Sequence, residues 1–178
     1  MTILSIKASD IDNWTSKEPR RAQELLPKLI LKLILATSNN IPDHHFPFEK
    51  AVQYAGFDGY LEVSDTSPFC PTGISVWEFG TDENIKSKFN DDFKKRSDNP
   101  NGIDKSETTF CFVTSRIWNH REGITEFTKA KQKDSTWKGV RIFDANNLEM
   151  WLSEYPSVAA WFSKIIEKQF DDIMSLQD

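Results

Sequence analysis

The chain has 178 residues, of which 28% are charged and 38% hydrophobic, with a formal net charge of −5. That profile fits one folded domain rather than a disordered chain. The acidic balance argues against a broad nucleic-acid-binding surface, because phosphate affinity comes mainly from Lys and Arg, yet it leaves room for a local basic rim. The strongest apolar run, Leu25 to Ala36, is interrupted by Pro27, Lys28 and Lys32 and is too short to span a membrane. No secretory segment is legible at the N-terminus, so a cytoplasmic location is expected. Cys70 and Cys111 lack metal-ligand spacing and are expected to be reduced and structural.

In chain order, residues 1–14 are polar and weakly patterned and are expected to be an irregular lead-in. Thr15-Ser16-Lys17-Glu18 has capping-box spacing, and Pro19 suits a first helical turn. Leu25, Leu26, Leu29, Ile30, Leu33 and Ile34 then form a wide apolar helical face, which Pro27 is predicted to kink or restart. Ser38-Asn39-Asn40 ends that helix. His44 to Phe48 reads as a short edge strand, since Pro47 is unsuited to a central one. After a turn at Gly56-Phe57-Asp58-Gly59, Tyr60–Val63 and Ile74–Phe79 alternate as strands, joined by the Pro- and Gly-bearing stretch 64–73. Asp82 is the expected cap of a helix whose core stripe is Ile85, Phe89 and Phe93. Residues 97–107 form a polar loop, with Asn-Pro and Asn-Gly as breakers. Thr108–Val113 is a buried-type strand, followed by a helix from about Glu122 to Lys133 and a strand at 139–143. Asp144 caps a helix through Leu148, Trp151 and Leu152, and Pro156 starts a last one. The order predicts a single mixed α/β domain over 1–178, with its core at about 16–166.

Chemistry concentrates between Phe57 and Arg96. Asp58 opens one strand, Glu78 lies near the end of the next, and Lys86 and Lys88 enter at the start of the following helix. Glu78 shares its strand face with Ile74 and Val76, a semi-buried position that needs a cation or a hydrogen-bonding partner. Two carboxylates on neighbouring strands with a lysine close behind are the parts needed to hold Mg²⁺ and activate a water beside a phosphate. Lys88 falls nearer the helix's apolar stripe than Lys86, with Asp92 one turn further on. Plainer readings stand beside these. Gly-Asp-Gly is a common turn, Lys88 and Asp92 could form only a solvated pair, and Glu62 is a solvent-facing neighbour on Asp58's side. Lys94-Lys95-Arg96 reads most simply as a solvated helix end favoured by the dipole, or, beside a nuclease site, as a guide for a phosphate backbone. His44 and His45 point to opposite strand faces and suit no common ion. Arg116 and Trp118 are open to either nucleic-acid contact or packing. No Ser-His-Asp set, Walker loop, dinucleotide fingerprint or zinc spacing supports another enzyme class.

Taken in order, LPKLILKLILAT, GFDGYLEV, PTGISVWEFGT, the KxxxDFxxR pattern from Lys88 to Arg96, TTFCFVTSRIW and VRIFDANNLEMWLSEYPSVAAWF form a set. That set resembles the PD-(D/E)XK restriction-endonuclease-like superfamily, and more narrowly the Mrr-like nuclease domains at the N-termini of bacterial anti-phage defence proteins. The resemblance covers about residues 24 to 163. It implies an αβββαβ core with C-terminal helices, and hydrolysis of DNA phosphodiester bonds as an Mg²⁺- or Mn²⁺-dependent deoxyribonuclease. Carried over by position, Asp58 and Glu78 are metal ligands and catalytic acids, Lys88 is the catalytic lysine, and Glu24 is an accessory metal ligand from the first helix. The usual lysine position, two residues beyond the second acid, holds Gly80. Either the lysine function has moved to Lys88 or the domain is a degenerate nuclease fold used for nucleic-acid or protein binding and assembly. The partners implied are double-stranded DNA, an activating sensor or NTPase region and further copies of the chain, with no membrane.

Overall fold

The computed structural model describes residues 5–46 and 56–166. Five strands form one mixed sheet in the order β1-β2-β3-β4-β5. They are β1 (Asp43–His45), β2 (Gly59–Val63), β3 (Gly73–Gly80), β4 (Thr108–Thr114) and β5 (Gly139–Phe143). The first three run antiparallel, whereas β3, β4 and β5 are parallel. Parallel neighbours require crossover connections, and helices α3 (Ile85–Asp98) and α4 (Ile124–Lys133) supply them. Every residue of β4 is buried, as expected for a central parallel strand covered on both faces.

Strand alternation divides the core into two layers. On one side Leu61, Val63, Trp77, Cys111 and Val113 meet helices α1 (Ala8–Lys17), α2 (Pro19–Thr37), α5 (Ala145–Glu154) and α6 (Pro156–Ile165). On the other, Tyr60, Val76, Phe110, Phe112 and Ile142 pack beneath α3 and α4. Phe89 anchors that second layer, its ring centroid lying 5.4 Å from both Phe112 and Phe127 and 5.1 Å from Phe93. Cys70 and Cys111 are buried free thiols, as expected. None of the described helices is long and apolar enough to cross a membrane.

Several expectations need correction. The stretch expected to be irregular contains α1, whose Ile11, Trp14 and Thr15 are buried. Its first turn is closed by Asp10, whose Oδ2 accepts from the Lys7 amide at 2.7 Å. Thr15 therefore caps nothing: its hydroxyl donates to the Ile11 carbonyl at 2.8 Å, which leaves its oxygen to accept from the Ser115 hydroxyl at 2.9 Å. The chain breaks at Glu18, because a residue before proline disfavours helical torsions, and Pro19 opens α2 as expected. The helix continues through Pro27 instead of restarting. Asn84, not Asp82, caps α3, its side chain accepting from the Ser87 amide at 3.1 Å. The edge position of β1 agrees with expectation, although Pro47 and Phe48 lie outside the described residues.

Replacing Phe89 with Ala should cost about 3–5 kcal/mol, the range for removing a fully buried phenyl ring. Denaturant unfolding of the two proteins measures this; a loss under 1 kcal/mol would contradict its role as the anchor of this layer.

Candidate active site

The register of β2 against β3 builds the site. Gly59 faces Trp77, and extending that pairing by one residue sets Asp58 opposite Glu78. Both carboxylates therefore project toward α3, at the margin of the layer containing Val76 and Phe112. Glu78 is only 3% exposed. The two carboxyl groups hydrogen-bond each other, and Asp58 Oδ2 also accepts from the Phe79 amide at 3.2 Å. This is the pair proposed from the sequence, with Glu78 as deeply placed as its apolar neighbours implied.

Helix α3 answers the two acids with a polar ladder. Lys88, Asp92 and Arg96 recur every fourth residue and so share one helical face. Arg96 Nε donates to Glu78 Oε1, and the guanidinium lies over the Phe57 ring, 5.1 Å from its centroid. Lys88 Nζ donates to Asp92 Oδ1 at 3.0 Å. Asp92 Oδ2 is buried as well and lies 3.0 Å from the same ammonium, so the carboxylate faces Lys88 with both oxygens. Two glycines make room for this ladder. A Cβ at Gly80 would stand 3.0 Å from Lys88 Cγ and 2.9 Å from Phe112 Cζ. Gly56, at φ +81°, leaves space for Arg96, whose Nη1 would lie 2.9 Å from an added Cβ. The stem of Lys88 thus occupies the space that a side chain at position 80 would need.

Arg96 overturns the reading of Lys94-Lys95-Arg96 as a wholly solvated helix end. Lys94 does pair in solvent with Asp98, but Arg96 is buried against Glu78. Its signal in the sequence was the ladder spacing from Lys88 and Asp92, which outranks the helix-end composition. Arg116 resolves toward packing: it donates to the Thr81 carbonyl at 2.9 Å and to Ser16 Oγ at 2.6 Å, tying α1 to the strand ends. Glu24 stands apart from this cluster. It is exposed, pairs with Arg20 at 3.4 Å and lines a groove with Glu18 and Arg21. Its neighbour Gln23, with Leu26, is what α2 presents to a cleft of about 130 Å³ bounded by Phe79, Gly80, Asp82 and Lys88.

The charges do not balance by pairing alone. Burial, then hydrogen bonding to Asp58 and its charge, raise the Glu78 pKa to about 9 despite the opposing effect of Arg96. One guanidinium offsets one carboxylate, and a proton held on Glu78 and shared through its hydrogen bond with Asp58 takes the place of a second positive charge. Burial alone would lower the Lys88 pKa, but the hydrogen bond and charge of Asp92, with Asp58 and Asp82, outweigh it and raise the net value. Lys88 therefore remains an ammonium at neutral pH. Among the described residues, no group of three or more His, Cys, Asp or Glu could hold a metal ion together. Two carboxylates nevertheless suit Mg²⁺, which takes one or two from the protein and completes its shell with water and phosphate oxygens.

The raised Glu78 pKa makes stability depend on pH. A group with its folded pKa raised contributes stability that is complete below the unfolded value, 4.5, and is lost as pH rises through about 9. In EDTA, the melting temperature of the wild type should fall relative to Glu78→Gln between those limits, since the amide retains an acceptor for Arg96 and a donor for Asp58 without ionising. Parallel melting curves across that range would contradict the shared proton.

No protein-family model matches the chain, and neither a curated protein nor a solved structure matches it. A functional assignment must therefore rest on the geometry of Asp58, Glu78, Lys88, Asp92 and Arg96.

Proposed function

We propose that this chain is a metal-dependent nuclease domain that hydrolyses DNA phosphodiester bonds, built on a restriction-endonuclease-like αβββαβ core. The observation that carries this reading is the pairing of half-buried Asp58 with buried Glu78, with the Lys88 stem packed over Gly80. The usual lysine position is closed to a side chain by the Phe112 ring and by a lysine arriving from the next helix, and a displaced catalytic lysine would look like this. The sequence of α2, three antiparallel strands, α3 and a parallel β4 fits the same core. Double-stranded DNA as substrate and a role in bacterial anti-phage defence rest on the resemblance alone.

A divalent ion held by Asp58 and Glu78 would polarise the phosphate and lower the pKa of a bound water. The chain's own residues do the remaining work. Arg96 fixes the Glu78 carboxylate and offsets its charge, which keeps an otherwise costly acid in an apolar layer. Asp92 anchors the Lys88 ammonium beside Asp58. As a permanent cation, Lys88 orients water by hydrogen bonding and stabilises charge developing on the phosphate oxygens, and it does not remove the proton. The cleft beside Gly80 opens Lys88 to solvent.

One observation favours a second reading, in which the fold is a catalytically inert binding module. Arg96 already supplies a cation to Glu78, so the acids have a structural partner without metal. Cleavage of supercoiled plasmid in Mg²⁺ or Mn²⁺ separates the two. The nuclease reading expects cutting that EDTA abolishes and that Asp58→Ala and Glu78→Ala reduce to background. Lys88→Met should lose about 10²–10³-fold and Asp92→Asn about 10–100-fold. A folded wild-type protein that neither cuts nor binds either ion would leave the inert module.

A further inference from the structure

The free edge of the sheet carries a second charged feature, remote from the acids in sequence. A groove of about 600 Å³ runs along β5 and the flank of α4. Its cations are Lys129 and Lys133, one helical turn apart on α4, and Arg141 on β5, which leaves the sheet on the Cys111 face and so borders the groove from across the free edge. Thr125, Thr128 and Gln132 add uncharged hydrogen-bonding groups, and no carboxylate lies among its described lining residues. In a chain of net charge −5, three cations gathered in one open groove without an acid mark a surface suited to an anion.

Sheet register fixes where this groove lies. Glu78 is level with Phe112 on β4, and Phe112 is level with Ile142 on β5. The groove-lining Ile142 backbone is therefore two strand spacings from Glu78, roughly 10 Å across the sheet. β3 and β5 also run in the same direction, so their C-terminal ends share one margin of the sheet. A polyanion crossing that margin could engage both places, whereas a small anion could not. Lys, Arg, Thr and Gln are also the side chains that commonly contact phosphate oxygens without reading sequence.

We infer that the α4–β5 groove is a backbone-binding surface for duplex DNA, flanking the acidic site and holding a substrate strand through Lys129, Lys133 and Arg141. This deepens the nuclease reading and rests on it for the identity of the partner. It also places the basic rim that an acidic nuclease requires: on α4 and the sheet edge, away from the Lys94–Arg96 helix end.

The test is binding, measured in EDTA so that no cleavage is needed, by fluorescence anisotropy of a labelled 20-base-pair duplex across a range of salt. Wild-type protein should bind. Lys129→Glu/Lys133→Glu/Arg141→Gln should weaken binding at least tenfold and flatten the salt dependence by about 2 to 3 in logarithmic slope, near 0.9 per lost phosphate contact. A milder Lys129→Ala/Lys133→Ala protein, with an unchanged melting temperature, should show a smaller loss in the same direction. Lys17→Glu/Lys28→Glu/Lys164→Glu carries a similar charge change elsewhere and should bind like wild type. Equal losses in the groove and control proteins, no binding by wild type, or tighter groove binding of poly-glutamate than of the duplex would each overturn the inference. The last result would point to an acidic protein partner. Groove-dependent binding by a protein that never cuts would retain the inference and discard hydrolysis.

Discussion

Antiparallel pairing of β2 with β3 forces Asp58 and Glu78 side by side at the margin of an apolar layer, and the surrounding site is arranged around that crowding. A lone carboxylate there would be costly, and two would repel. Arg96 supplies one compensating charge, and a proton shared between the acids supplies the other. Such an arrangement stores a preference for a second positive charge. A divalent ion in place of the shared proton would satisfy it, because ionised carboxylates are the form that metals bind.

The crowding also explains why α3 must sit close to the sheet. Phe89 clamps the helix by its apolar side against Phe110, Phe112 and Phe127. The adjacent face then presents Lys88, Asp92 and Arg96 to the acids at successive turns. Gly80 and Gly56 are the matching concessions in the strands and turn, since either added Cβ would collide with one of those long side chains. Packing and electrostatics are thus coupled. A substitution that lifted α3 would uncover the core and simultaneously strand the buried Glu78 without its cation.

Much of this was legible in the sequence, and the reasons differ between elements. The alternation of Ile74-Ser75-Val76-Trp77-Glu78 fixed the face of Glu78, because period-two burial leaves little choice. The stripe of Ile85, Phe89 and Phe93 likewise located α3, missing only its cap by two residues. Helix α1 was not visible, since ASDIDNWTSK is mostly polar and its burial depends on partners distant in sequence, such as Ser115 and Glu149. Arg96 was misread because helix-end lysines and arginines are ordinarily solvated; only the strand register, a tertiary fact, reveals that Glu78 waits beneath it. Glu24 illustrates the reverse problem. Its type and helix suited a ligand, but helical phase turns Gln23 toward the cleft and Glu24 toward Arg20.

The most direct measurement of whether the acids form a metal site is calorimetric titration of Mn²⁺ into wild-type and Glu78→Gln proteins, repeated in two buffers of different ionisation enthalpy at neutral pH. A cation that replaces the shared proton should bind the wild type and release about one proton, seen as a buffer-dependent heat. Glu78→Gln, which has no such proton to release, should lose both the affinity and the buffer dependence. Binding that is indifferent to Glu78→Gln and to the buffer, or no binding at all, would contradict the assignment of Asp58 and Glu78 as a metal site.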